Sequence, residues 1–176
     1  MSFEVAWNRQ VPLSKQMRWW ALLLLLTACA GSKSAAPAST VVEVEVALPD
    51  GASQLAVPAE AVAWGKCPPD LPPGCEMAVL EGDPRKPQLF TVRFRTPGSF
   101  EMKPHWHPRN ERVTVLEGKI GVGFGDAIDR ENVTWFGPGD YYVNAKDAHH
   151  FVLTDAPAVV QITGIGPWKA NYLDAE

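Results

Sequence analysis

From residue 41 onward the sequence predicts an all-β fold, a sandwich or closed barrel of short strands. Apolar residues recur with a period of two far more often than 3.6. Sixteen prolines and fourteen glycines are scattered through the chain as turn markers. Only residues 59–64 have the pattern of a helical turn. Many short alternating segments separated by turn signals specify a β-sandwich or barrel.

The segments follow in order. "VVEVEVA" (41–47) alternates, and so does "QLFTVRFRT" (88–96), with Leu89, Thr91 and Arg93 on one side and Phe90, Val92 and Phe94 on the other. "RVTVLEGKIGVGFGD" (112–126) reads as two strands joined by a hairpin at Glu117-Gly118-Lys119. "DYYVN" (140–144), "HFVLT" (150–154) and "AVVQITGIG" (158–166) continue the series. No internal repeat is visible, and 176 residues hold one ordinary core, so a single domain is expected over 41–176. Arg93 and Arg95 suit either anion binding or a solvated strand face.

The first forty residues have another character. "MRWWALLLLLTACAGSKSAAPAST" sets Arg18 before an apolar run, Trp19 to Leu26, followed by small residues. This is the layout of a secretory signal peptide, and the run is too short for the roughly 20 residues that span a bilayer. "LTAC", ending at Cys29, resembles the lipobox of bacterial lipoproteins. That resemblance implies cleavage after residue 28, lipidation of Cys29 and a true start at either Met1 or Met17. Removing residues 1–28 takes away three cations and one acid, leaving 148 residues with a formal charge of −6 in place of −4. Ala30 after the cysteine fits retention at the outer membrane, facing the periplasm of a two-membrane bacterium. Residues 30–40 read as a flexible tether. An acidic chain without a basic stripe excludes nucleic acid as an expected partner.

Besides Cys29 there are only Cys67 and Cys75, bracketing "PPDLPPG". In an oxidising compartment this pair reads as a disulfide. Two free buried thiols or half of a zinc site are the alternatives.

All four histidines fall in two short segments about forty residues apart. In "KPHWHPRNE" (103–111), strand alternation turns His105 and His107 to one side and Trp106 to the other, with Glu111 four positions on. His149 and His150 lie in "GPGDYYVNAKDAHHFV". Two imidazoles and a carboxylate on one side suit a metal site.

"GSFEMKPHWHPRNERVTVLEG" (98–118) resembles the first motif of the cupin superfamily. His105, Trp106, His107, three residues, Glu111, six residues and Gly118 match its spacing. It departs at the front, where six residues separate Gly98 from His105 and the usual number is five; a bulge or an altered turn would absorb the extra one, or Gly98 is not the motif glycine. The segment from Gly139-Asp140 resembles the second motif, with Ala145 at its usual proline, Asp147 at its glycine and His150 at its histidine. Asp147 must then accept a positive φ. His149 faces the other way and is left out. "GIGPW" (164–168) resembles the ending of a subgroup of small secreted cupins.

The resemblance implies a single cupin barrel, or jelly-roll sandwich, whose metal ligands are His105, His107, Glu111 and His150. Such a set suits a divalent transition metal (Mn, Fe, Co, Ni, Cu or Zn) with one or two open positions. Glu111 also serves as a candidate catalytic base; its alternative is a surface carboxylate in a turn. Alternation points Val113, Val115, Phe124 and Val152 inward as the lining of a largely apolar pocket. The expected function is a metal-dependent enzyme, dioxygenase-like or isomerase-like, on a small molecule in the cell envelope. The alternatives are a non-catalytic metal- or ligand-binding lipoprotein and an empty scaffold. Cupins often pair strands or sheets, which admits a homodimer.

Overall fold

The computed structural model describes residues 51–173 together with Val46 and Leu48. These belong to one compact unit, Val41–Glu176. Cys29, the lipobox-like segment, the tether and the run at 41–47 (Val46 apart) lie outside the described residues.

The described chain is nearly all β. A three-residue 3-10 turn at Ala59–Ala61 occupies the place of the expected helical turn. Eleven strands follow: β1 (Gly65–Lys66), β2 (Glu76–Gly82), β3 (Leu89–Thr96), β4 (Phe100–Trp106), β5 (Glu111–Glu117), β6 (Ile120–Phe124), β7 (Thr134–Phe136), β8 (Tyr141–Asn144), β9 (His150–Thr154), β10 (Ala158–Ile165) and β11 (Asn171–Tyr172). They form two antiparallel sheets, in the orders β1-β2-β3-β10-β5-β8 and β11-β4-β9-β6-β7. The architecture is the jelly-roll sandwich expected from the sequence, and the two sheets are not closed into a continuous barrel.

The expected hairpin at 112–126 is corrected. β5 pairs with β10 and β8, whereas β6 pairs with β9 and β7. The turn carries the chain from one sheet to the other. Gly118 sits there at φ 70°, and a Cβ on it would stand 2.3 Å from the Pro157 carbonyl oxygen. Both the left-handed backbone and the close approach require glycine.

Alternation places Phe90, Val92 and Phe94 of β3 in the core. They pack toward Val113 and Val115 of β5 and Val160 and Ile162 of β10. Each such side chain contributes roughly 1.5–3 kcal/mol on full burial. Arg93 and Arg95 take the outer face. Arg95 pairs with Glu76 at 2.6 Å and lies 4.4 Å from the centre of the Trp64 ring, so these arginines dress a strand surface.

The β4–β9 ladder ties the second sheet together. Phe100 stands opposite Thr154 and Met102 opposite Val152, but the next pair is His105 with His150. Three steps on β4 therefore meet two on β9, a bulge at Lys103 and Pro104. This is the extra residue by which the first motif departs from the cupin spacing. Proline is tolerated there because a bulge leaves its nitrogen outside the ladder. At the Phe100 end, buried Thr154 donates to the Pro97 carbonyl and accepts from the Phe100 N–H and the Thr96 hydroxyl.

Candidate metal centre

Three neighbouring strand ends and one loop deliver the site. His105 is the last residue but one of β4, His107 follows the strand, His150 opens β9 and Glu111 opens β5. All four are buried: the histidines are at most 2% exposed and Glu111 is 6% exposed. One ring nitrogen from each of His105, His107 and His150 lies within 4.8 Å of the other two. His149, on the opposite face, meets Asp126 at 2.6 Å outside the cluster.

The backbone fixes how each imidazole presents itself. The Nδ1 atoms of His105, His107 and His150 lie 2.8, 2.8 and 3.0 Å from the carbonyl oxygens of Lys103, Lys169 and Ala148. A carbonyl only accepts, so each Nδ1 is the donor, and the Nε2 of a neutral ring carries the lone pair. The bulge supplies the first of these carbonyls. The third comes from the turn at Asp147, which has φ 60° as its place in the second motif requires, and whose N–H reaches the His107 carbonyl at 2.9 Å. His107 Nε2 and His150 Nε2 are buried with no hydrogen-bond partner. Buried polar atoms without partners are costly, and inward lone pairs backed by Nδ1–carbonyl bonds are how metal-binding histidines are held.

Burial keeps His105 and His150 neutral. Burial, then the neighbouring His150 and His107, pushes the His105 pKa down to about 3. Burial likewise lowers that of His150. Burial would raise the Glu111 carboxyl, but the three imidazoles and a hydrogen bond from Asn144 outweigh it and hold it below the usual range. Glu111 stands slightly apart from the histidine trio. Its Oε1 is 3.4 Å from His107 Nε2 and its Oε2 is 3.9 Å from His150 Nε2. Asn144 Nδ2 donates to Oε2 and Trp168 Nε1 to Oε1, each at 3.0 Å, leaving further lone pairs for an ion. The donor set therefore fits a divalent transition metal.

The space before the histidines is small, about 30 Å³, room for an ion and little more than a water molecule. Val113 and Val152 line it, beside Met102 and Ile162. Two expectations are corrected. Val115 is buried on the same side of β5 but lies deeper, outside the cavity wall. Phe124 is 60% exposed, because β6 outruns β7, whose pairing stops at Val122 opposite Thr134.

The wall and support residues that were missed include Tyr142, Asn144, Trp168 and Leu71. Tyr142 and Asn144 face Val113 and Glu111 across the β5–β8 ladder; alternation along "DYYVN" is the signal that would have found them. Trp168 stacks on His107 with ring centres 5.7 Å apart and is the last residue of "GIGPW". Its loop passes so close to Lys86 that a Cβ on Gly166 would lie 2.2 Å from that carbonyl oxygen. Leu71 reaches the cavity from the segment bracketed by the cysteines, which are joined as a Cys67–Cys75 disulfide.

Among solved structures, the chain is similar to the polyketide cyclase RemF from Streptomyces resistomycificus, with 16% identity, 69% of this chain and 86% of that one covered, and a TM-score of 0.57. It is also similar to an acetylacetone dioxygenase from Acinetobacter johnsonii, with 18% identity, 63% and 72% covered, and a TM-score of 0.51. At these identities the likeness is one of fold. No curated protein matches the chain. The family model described as "Domain of unknown function (DUF4437)" matches residues 50–168, well over half of the chain. With two antiparallel sheets in a cupin-type jelly roll and a buried histidine trio, the chain belongs to the DUF4437 family.

Proposed function

We propose that this protein is a metal-binding cupin in which His105, His107 and His150 hold a divalent transition metal, with Glu111 as fourth ligand or as the base beside it. One observation carries the reading: ring nitrogens of three buried histidines converge within 4.8 Å while every Nδ1 proton is committed to a backbone carbonyl. Bound there, the metal would supply Lewis-acid polarisation or, if redox-active, dioxygen chemistry. The chain's own residues set the conditions. Asn144 and Trp168 orient the Glu111 carboxylate, and the apolar walls exclude water and favour a small, largely apolar molecule. On this reading the protein is a metal-dependent enzyme, dioxygenase-like or isomerase-like; an acetylacetone dioxygenase is among the proteins that share its fold. We further propose that it is exported and anchored through a lipidated Cys29 to the outer membrane, facing the periplasm. The lipobox-like sequence supports this, and so does a disulfide suited to an oxidising compartment.

A second reading, a non-catalytic metal- or ligand-binding lipoprotein, is favoured by the small free volume. Metal analysis of the protein expressed with its signal segment and without a histidine tag tests the shared premise. Near-stoichiometric Mn, Fe, Co, Ni, Cu or Zn is expected, and lost in His105→Ala and His150→Ala. Absence of metal after reconstitution would reject it. Oxygen uptake with catechols or β-diketones then separates enzyme from binder.

A further inference from the structure

Most walls of the histidine cavity are strand residues locked in ladders. Leu71 is different. It belongs to the hairpin between Cys67 and Cys75, where Pro68, Pro69 and Asp70 are exposed while Leu71 is 8% exposed and faces the cavity with His105 and His107. The hairpin is closed at its base by the disulfide and by the Cys67 N–H on the Cys75 carbonyl. Prolines 68, 69, 72 and 73 restrict its backbone. Among the described residues, the one backbone hydrogen bond of 68–74 stays within the hairpin, from the Leu71 N–H to the Pro68 carbonyl. Trp168, another wall outside the strands, is bonded to Glu111 and to the Pro84 carbonyl. Leu71 is thus held against the site by apolar contact alone. A hollow of about 550 Å³, walled by the hairpin itself from Lys66 to Glu76, also has Leu71 in its wall, so this side chain stands between the hollow and the histidine cavity.

We infer that Leu71 is the plug that decides which ligands reach the histidines. With the hairpin seated, the cavity admits only a ligand of a few atoms; an aromatic diol or a similarly bulky chelator requires Leu71 to leave. This rests on the metal reading above, and the test keeps the two apart. Wild type, Leu71→Ala and Cys67→Ser/Cys75→Ser, each loaded with cobalt(II), are titrated with azide and with 4-nitrocatechol while visible absorption is followed. If the open state is a minor one, removing the plug raises apparent 4-nitrocatechol affinity by about tenfold or more and leaves azide within about twofold. The double cysteine variant keeps Leu71 but frees its base, and falls between. Unchanged 4-nitrocatechol affinity in both variants overturns the inference.

A metal-free arm stands beside it. Diethyl pyrocarbonate labelling of His105 and His107, followed by peptide mass spectrometry, should quicken several-fold in Leu71→Ala. Equal labelling rates overturn the plug whether or not cobalt binds. Faster labelling in a protein that takes up no cobalt retains the plug and rejects the metal reading.

Discussion

The two ends of the β4–β9 ladder are buried alike and chemically opposite. At the Phe100–Thr154 end, the polar atoms satisfy one another: Thr154 gives one hydrogen bond and accepts two, and Phe94 meets Phe100 edge-on at 5.8 Å. At the His105–His150 end, backbone bonds are spent on both Nδ1 atoms and the buried His150 Nε2 is left without a partner. A polar group buried for stability is satisfied by its own chain. A polar group buried for binding is held on one side and left open on the other. Burial alone does not distinguish the two; the direction of the unmet lone pairs does.

That contrast can be broken at either end. The largest effect on stability is expected from Thr154→Val, which keeps the shape but strands the Phe100 N–H and the Pro97 carbonyl. It should cost about 1–3 kcal/mol in chemical denaturation while metal content stays at the wild-type value. Asn144→Ala should do the reverse. With one of two donors to Glu111 gone, metal affinity should fall by about 10–100-fold, as for other outer partners of metal ligands, which competition with a chromogenic chelator would measure in a protein that remains folded. An effect of Thr154→Val on metal, or none of Asn144→Ala, would erase the distinction. The smallest change is His149→Ala. This neighbour of His150 points outward, so stability should move by less than about 0.5 kcal/mol and bound metal not at all, as read by thermal unfolding and metal analysis.

Much of this was legible in the sequence, for identifiable reasons. Period-two patterning placed Phe90, Val92 and Phe94 inside because a strand half-buried on one face leaves no other arrangement. It also separated His150 from His149. Motif spacing brought Glu111 to the histidines, and its one extra residue before His105 left a bulge as one of several readings. The pairing of strands was less legible. A glycine turn between two alternating runs looks the same whether the strands pair or part, and at Gly118 the deciding contact is with Pro157, remote in sequence. Phe124 failed for a related reason: alternation gives the face of a strand but not where its neighbour ends. Trp168 and Leu71 come from loops, where no periodicity constrains which side chain turns inward.

The bulge at Lys103–Pro104 has one more consequence, in the parity of the strand. Below it, the even-numbered Phe100 and Met102 face the interior; above it, the odd-numbered His105 and His107 do. A regular strand cannot present both sets to one face, because side chains invert at every step. The single extra residue is therefore a phase shifter. It lets one continuous strand serve the hydrocarbon core with one half of its residues and the imidazole cluster with the other. An unbulged β4 of the same composition would have to give up one or the other.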